Sequence, residues 1–148
     1  MSQVTRIGVI GGSGLYEMDG LTDIREETLE TPFGAPSAPY LIGRLEGHDG
    51  VELVFLPRHG RNHQFNPSEV NYRANIFGMK ALGVSWIISV SAVGSLQEEV
   101  VPGHVVIIDQ FIDRTKNRAS TFFEKGMVAH IAFGDPVCTT LRDYLLTA

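Results

Sequence analysis

Four side chains able to carry or exchange positive charge fall within six residues: Arg58, His59, Arg61 and His63. They follow Val51-Glu-Leu-Val-Phe-Leu56, an apolar run that reads as a strand, and Pro57 ends it abruptly. Ligands of open α/β sheets gather outside strand ends, so a guanidinium and an imidazole there suit a small anion. Two other apolar runs end comparably. Arg6-Ile-Gly-Val-Ile10 breaks into Gly11-Gly-Ser-Gly14, where glycines let backbone N–H groups approach an oxyanion and Ser13 adds a hydroxyl donor. Trp86-Ile-Ile-Ser-Val90 ends at Ser91-Ala-Val-Gly-Ser95, where Ser91 offers a hydroxyl and small neighbours leave the amide of Ala92 open. Converged on one point, the three exits would enclose a phosphate with charge-assisted and neutral donors together.

Each feature also has an ordinary alternative: a glycine turn without a ligand, an arginine paired with one of the 17 acidic residues, a strand exit with a bulge. The glycine loop fails the dinucleotide fingerprint, because Glu17 stands where a third glycine is needed, and it lacks the Gly-Lys-Ser/Thr of a P-loop. His48 reads as a solvated turn residue and His104 as a loop histidine. Trp86 and Phe77 are expected in the core, and Cys138 as a small buried side chain. Asp109, Asp113 and Arg114 form either an ion pair or a loop clamp.

The elements that must position these groups alternate between strands and helices. Strands are expected at residues 6–10, 40–45, 51–56, 86–90 and 105–108, and His48-Asp-Gly50 is a hairpin signal joining the second and third. Leu21 to Glu30 is acidic and weakly patterned, and Thr31 to Pro39 reads as surface loop, since its three prolines each remove a donor. Asn66-Pro-Ser-Glu69 resembles a helix start, with Val70, Ala74, Phe77 and Leu82 on the apolar face and Gly83 as the stop. Asp135-Pro136 opens a last helix whose apolar face, Val137, Leu141, Tyr144 and Leu145, is still running at Ala148. The fold class is α/β: a mixed, mostly buried β-sheet flanked by helices, incomplete at the C-terminus.

Composition excludes several classes. The chain has 148 residues, enough for one domain, and 43% of them are hydrophobic against 20% charged, which fits a globular chain rather than a disordered one. A net charge of −5 with no basic stripe argues against nucleic acid. Arginine outnumbers lysine nine to three, which favours planar recognition of a small anion. One cysteine excludes an internal disulfide and points to a reducing compartment, and no Cys/His cluster suggests zinc or another metal. There is no signal-peptide pattern and no run of about 18 apolar residues to span a bilayer, so no membrane partner is expected and the expected location is the cytoplasm.

Taken in order, Ile7-Gly-Val-Ile-Gly-Gly-Ser-Gly-Leu15, Thr31-Pro-Phe-Gly34, Arg58-His-Gly-Arg61, Val70-Asn-Tyr-Arg-Ala-Asn75 and Ser91-Ala-Val-Gly-Ser95 resemble the trimeric purine nucleoside phosphorylases. Ile108-Asp-Gln-Phe-Ile-Asp-Arg-Thr115 resembles the branch acting on 5′-methylthioadenosine. The resemblance implies a nucleoside phosphorylase-like fold, with residues 1–148 as the N-terminal part of a single domain. It implies phosphate held by Ser13, Arg58, His59, Ser91 and Ala92, with His63 near the pocket and His130 reaching a neighbouring subunit's site in a homotrimer. It further implies phosphorolysis of a small purine nucleoside, with inorganic phosphate as co-substrate and no cofactor. The family's base-recognition acids, and its Met and Thr contacts to ribose and phosphate, lie in a C-terminal half that these residues do not include, and no general acid is evident. The competing expectations are a relative acting on inosine, guanosine or methylthioinosine, and a non-catalytic anion- or nucleotide-binding module.

Overall fold

A computed structural model describes residues 4–16 and 18–148, with the backbone alone at Ser13 and Tyr16. It divides into two compact units, Met1–Ser91 and Ala92–Ala148.

The first unit holds five strands: β1 (Thr5–Gly11), β2 (Leu21–Glu27), β3 (Tyr40–Leu45), β4 (Val51–Pro57) and β5 (Val84–Ser89), with helix α1 (Tyr72–Ala81) between the last two. They form one mixed sheet in the order β2-β3-β4-β1-β5. β3 lies antiparallel to both β2 and β4, whereas β1 is parallel to β4 and β5, with Ile7 opposite Leu53 on one side and Trp86 on the other. The turn through His48 to Gly50 makes the β3–β4 hairpin, closed by the Val51 amide on the His48 carbonyl. β4 is buried from Glu52 to Pro57 because it has strands on both sides. The return from β4 to the parallel β5 needs a crossover, and α1 supplies it.

Asn71 caps α1, its side-chain oxygen accepting from the Ala74 amide at 3.2 Å, and Gly83, at φ +74°, takes the left-handed conformation that ends the helix. Met79 of α1 and Leu82, which caps its C-terminus, meet Tyr40, Ile42, Val54, Leu56 and Ile10 in the core. Helix and sheet come closest at Gly78, where any Cβ would collide with the Tyr40 hydroxyl. That hydroxyl donates to the Asn75 carbonyl at 2.9 Å, and burial pushes the Tyr40 phenol pKa up, so it stays a neutral donor.

At the N-terminal end of β4 the buried Glu52 carboxylate is shared by arginines from β1, β2 and β3. Arg6 contacts it at 2.8 Å, Arg25 reaches both oxygens at 3.1 Å, and Arg44 stands at 3.9 Å with Asp23 as its second partner. Hydrogen bonds from Arg25 first, then Arg6, hold this carboxyl below its ordinary range despite burial. Arg6 also donates to the Leu82 carbonyl at the end of α1.

Several expectations need correction. The weakly patterned segment after Leu21 is a strand, β2; five of its seven residues are exposed, so it shows no alternation. Its pairing is broken between Thr22 and Arg25, around Asp23 at φ +50°. Asn66 and Glu69 do exchange the reciprocal bonds of a capping box, at 2.9 and 3.2 Å, but they close a turn, and the helix starts from Asn71. Trp86 and Phe77 are only half-buried: Trp86 lies on an edge strand, and Phe77 meets Phe33 edge-on at 5.7 Å.

In the second unit the one regular element among the described residues is α2 (Thr139–Thr147). It begins after Cys138, not at Asp135, and Cys138 is exposed. The expected strand at 105–108 is absent. A strand needs a neighbour to take its backbone groups, and the unit offers none; Val105 is 85% exposed. Local contacts organise this unit instead. Phe111 and Phe133 meet edge-on at 5.1 Å, and the Gln110 side chain donates to the Phe133 and Gly134 carbonyls. Asp113 accepts from the Thr115 amide at 2.8 Å, which lowers its carboxyl pKa, and Asp109 lies 3.8 Å from Arg142. No described helix is long and apolar enough to cross a membrane.

Candidate functional site

Because β4, β1 and β5 are parallel neighbours, their C-terminal ends open on one edge of the sheet. Gly11 pairs with Pro57, the Arg58 amide donates to the Gly11 carbonyl at 3.0 Å, and the Val90 amide donates to the Ile10 carbonyl at 2.8 Å. Backbone bonds therefore hold all three exits together before any side chain acts.

The side chains of Arg58 and Ser91 then meet: Arg58 Nη1 donates to Ser91 Oγ at 3.0 Å. Arg58 Nε faces His59 Nε2 at 3.3 Å, and His59 Nδ1 faces the Phe65 carbonyl at 2.9 Å. A carbonyl only accepts and an arginine N–H only donates, so these bonds require the neutral imidazole with its proton on Nδ1. The Phe65 amide donates back to the His59 carbonyl at 3.1 Å, closing the loop. His63 is exposed on that loop at φ +50°, its ring parallel to that of His59 at 6.1 Å.

Of the two arginines, Arg61 is taken by Glu26 at 2.6 Å. Among the described residues no carboxylate pairs with Arg58, whose bonds go to a neutral hydroxyl and a neutral ring. A guanidinium has five N–H donors, so Arg58 keeps donors to offer.

Beneath it lies a cavity of about 360 Å³, bounded by Arg58 and His59, by Ile10, Ile87 and Ser89 of the sheet, and by Tyr72, Asn75 and Ile76 of α1. A largely apolar lining that includes one guanidinium suits a ligand that has an anionic end and a flat or apolar body. The residues Tyr72 and Asn75 were not expected here; the polar run Val70-Asn-Tyr-Arg-Ala-Asn75 at the start of a helix was their signal. Asn75 is fixed by the loop before β3, accepting from the Ser37 amide at 2.8 Å and donating to its hydroxyl at 3.0 Å. Asn71 similarly donates to the Phe33 and Ala35 carbonyls.

The backbone of Ser13 lies in a short 3₁₀ turn, Ser13–Tyr16, directly after β1, and its side chain lies outside the described residues. Ala92 opens the second unit, and His130 is exposed within it. The described residues include no group of three His, Cys, Asp or Glu placed to hold a metal ion.

The parallel strands of this mixed α/β sheet thus end around an arginine that, among the described residues, pairs with no carboxylate, beside a largely apolar cavity. Residues 6–148 match the model of the phosphorylase superfamily, and the chain belongs to that family. It is similar to the S-methyl-5′-thioadenosine phosphorylase of Geobacter sulfurreducens, at 66% identity over 100% of this chain and 50% of that protein. The enzyme of the same name from Thermosynechococcus vestitus is 57% identical over 97% of this chain and 48% of its own length. Among solved structures, a methylthioadenosine phosphorylase sourced from an antarctic soil metagenomic library superposes with a TM-score of 0.91 at 51% identity, over 99% of this chain and 50% of that one. The Schistosoma mansoni methylthioadenosine phosphorylase in complex with adenine gives 0.86 at 38% identity, over 97% and 52%. The chain spans about half the length of the curated relatives it matches.

Proposed function

We propose that residues 1–148 are the N-terminal part of one phosphorylase domain and supply the phosphate pocket of an enzyme that cleaves 5′-methylthioadenosine to adenine and 5-methylthioribose 1-phosphate. The observation that carries this is Arg58, bound to Ser91 and His59 at the junction of three parallel strands, with no described carboxylate to neutralise it. The similarity to methylthioadenosine phosphorylases over nearly the whole chain supports the choice of nucleoside.

In this mechanism the phosphate lies against Arg58 and His59, the hydroxyls of Ser13 and Ser91, and the amide of Ala92. The grip holds the anion in line with the anomeric carbon, a contribution of position. As the purine departs, positive charge grows on the ribose, and the phosphate held against it stabilises that charge. His63 lies near the nucleoside, and His130 serves a neighbouring subunit of a homotrimer. The enzyme is cytoplasmic and uses phosphate as co-substrate without a cofactor.

Calorimetry with inorganic phosphate tests the pocket, and following adenine release from methylthioadenosine with and without phosphate tests turnover. We expect phosphate to bind and sulfate, of the same shape and similar charge, to compete. A folded chain indifferent to both anions would overturn the assignment.

A further inference from the structure

We infer that Glu26 is a specificity-determining residue: by holding Arg61 it leaves the anion pocket a single guanidinium, so that one tetrahedral anion is taken in preference to two linked ones. This rests on the phosphate pocket proposed above. β2 is antiparallel to β3 and β3 to β4, so β2 runs parallel to β4 and ends on the same edge of the sheet. Glu26, near the end of β2, shares a rung with Leu41 and Phe55, which places it beside the exit of β4. β4 is the middle strand of the five. From its exit the two arginines reach opposite ways along the edge. Arg58 crosses β1 to Ser91, just past β5, at 3.0 Å, and Arg61 crosses β3 to Glu26 at 2.6 Å. Neighbouring strands lie about 4.8 Å apart, so each reach spans about 10 Å of sheet. The turn that parts them is set by the backbone, with the Gly60 amide on the Pro57 carbonyl, the His63 amide on the Gly60 carbonyl, and Gly60 at φ +77°.

Two arginines three residues apart would otherwise make a clamp for a polyanion, since each planar guanidinium can take a separate phosphoryl group. The proposed reaction uses one phosphate, and a diphosphate held by both arginines would compete with it. Glu26 removes the second grip: its carboxylate neutralises Arg61 and draws it toward β2, away from Ser91. Both side chains of the pair are about half exposed, so the pair adds little to stability. Its effect falls on where positive charge is offered. Specificity of this kind comes from withholding a contact from the wrong ligand rather than from adding one to the right ligand.

The test titrates inorganic phosphate and pyrophosphate, by calorimetry, into the whole chain and into Glu26→Gln, Arg61→Gln and the double variant. In Glu26→Gln, pyrophosphate should bind about five- to tenfold more tightly while phosphate stays within about twofold, the gain of one screened, charge-assisted hydrogen bond. The double variant should lose that gain, because it belongs to Arg61. A gain that persists there would come from the missing negative charge alone and would overturn the inference, as would an unchanged preference in a folded Glu26→Gln chain. Arg61→Gln should bind both anions within about twofold of the unsubstituted chain, since a paired arginine is not in the pocket. A marked loss of phosphate affinity there would place Arg61 among the phosphate ligands and overturn its restraint by Glu26. A chain that binds neither anion in any form overturns the proposed pocket and this inference together, whereas phosphate binding with unaltered selectivity overturns the inference alone.

Discussion

The two ends of one sheet use arginine in opposite ways. Where β4 begins, Arg6, Arg25 and Arg44 close around the carboxylate of Glu52, so the charges are satisfied inside the chain. Where β4 ends, Arg58 meets, among the described residues, a hydroxyl and an imidazole and no carboxylate. The same residue type is structural at one end and available at the other, and what separates the two is the charge of its partner. Counting arginines could not reveal this; their partners do.

The comparison can be broken at either end. The largest effect is expected at the closed one. Replacing Glu52 with Ala leaves three arginines facing one another without their shared counter-charge, and stability should fall by about 3–5 kcal/mol, read from urea unfolding. A loss below about 1 kcal/mol would show that the cluster is ornamental. At the open end, Arg58→Ala should weaken phosphate binding by about 1.5–3 kcal/mol, with stability changed by less than about 0.5 kcal/mol. A large loss of stability there would place Arg58 with the structural arginines.

Acid should also act on the two ends unequally. The native Glu52 carboxyl titrates below its ordinary range, so its contribution is fully present above the unfolded value of about 4 and is lost as pH falls through the native one. Urea midpoints measured on descending pH should therefore drop less steeply in Glu52→Gln than in the unsubstituted chain. Parallel curves would remove Glu52 from the acid response. The smallest change is reserved for the solvated pair of Asp23 and Arg44, both more than half exposed. Asp23→Asn should cost at most about 0.5 kcal/mol, diminishing further with added salt.

Much of the first unit was legible because its signals are local. The apolar runs of β1 and β4 and the His48-Asp-Gly50 turn need no distant partner to be read. β2 was not legible, since an edge strand that shows most of its residues to water carries no periodicity. The start of α1 was ambiguous in a physical sense: Asn66 and Asn71 are both good caps, and the choice fell to Asn71, whose amide also binds the Phe33 and Ala35 carbonyls far away in sequence. The segment 105–108 failed for the converse reason, having a strand's composition without a neighbour in its unit. In the candidate site, the strand-end position of Arg58 and Ser91 could be read from the runs before them. Tyr72 and Asn75 could not, because their place on the cavity wall depends on how α1 crosses the sheet.

That crossing is gauged outside the cavity. Tyr40 slides under α1 at the one turn that has no side chain, Gly78, and its hydroxyl ties down the carbonyl of Asn75, whose amide is already committed to Ser37. The spacing between helix and strands is thus fixed by an aromatic ring that lines no part of the opening. Any substitution that thickens this contact would lever the wall outward and loosen the fit of a ligand it never meets.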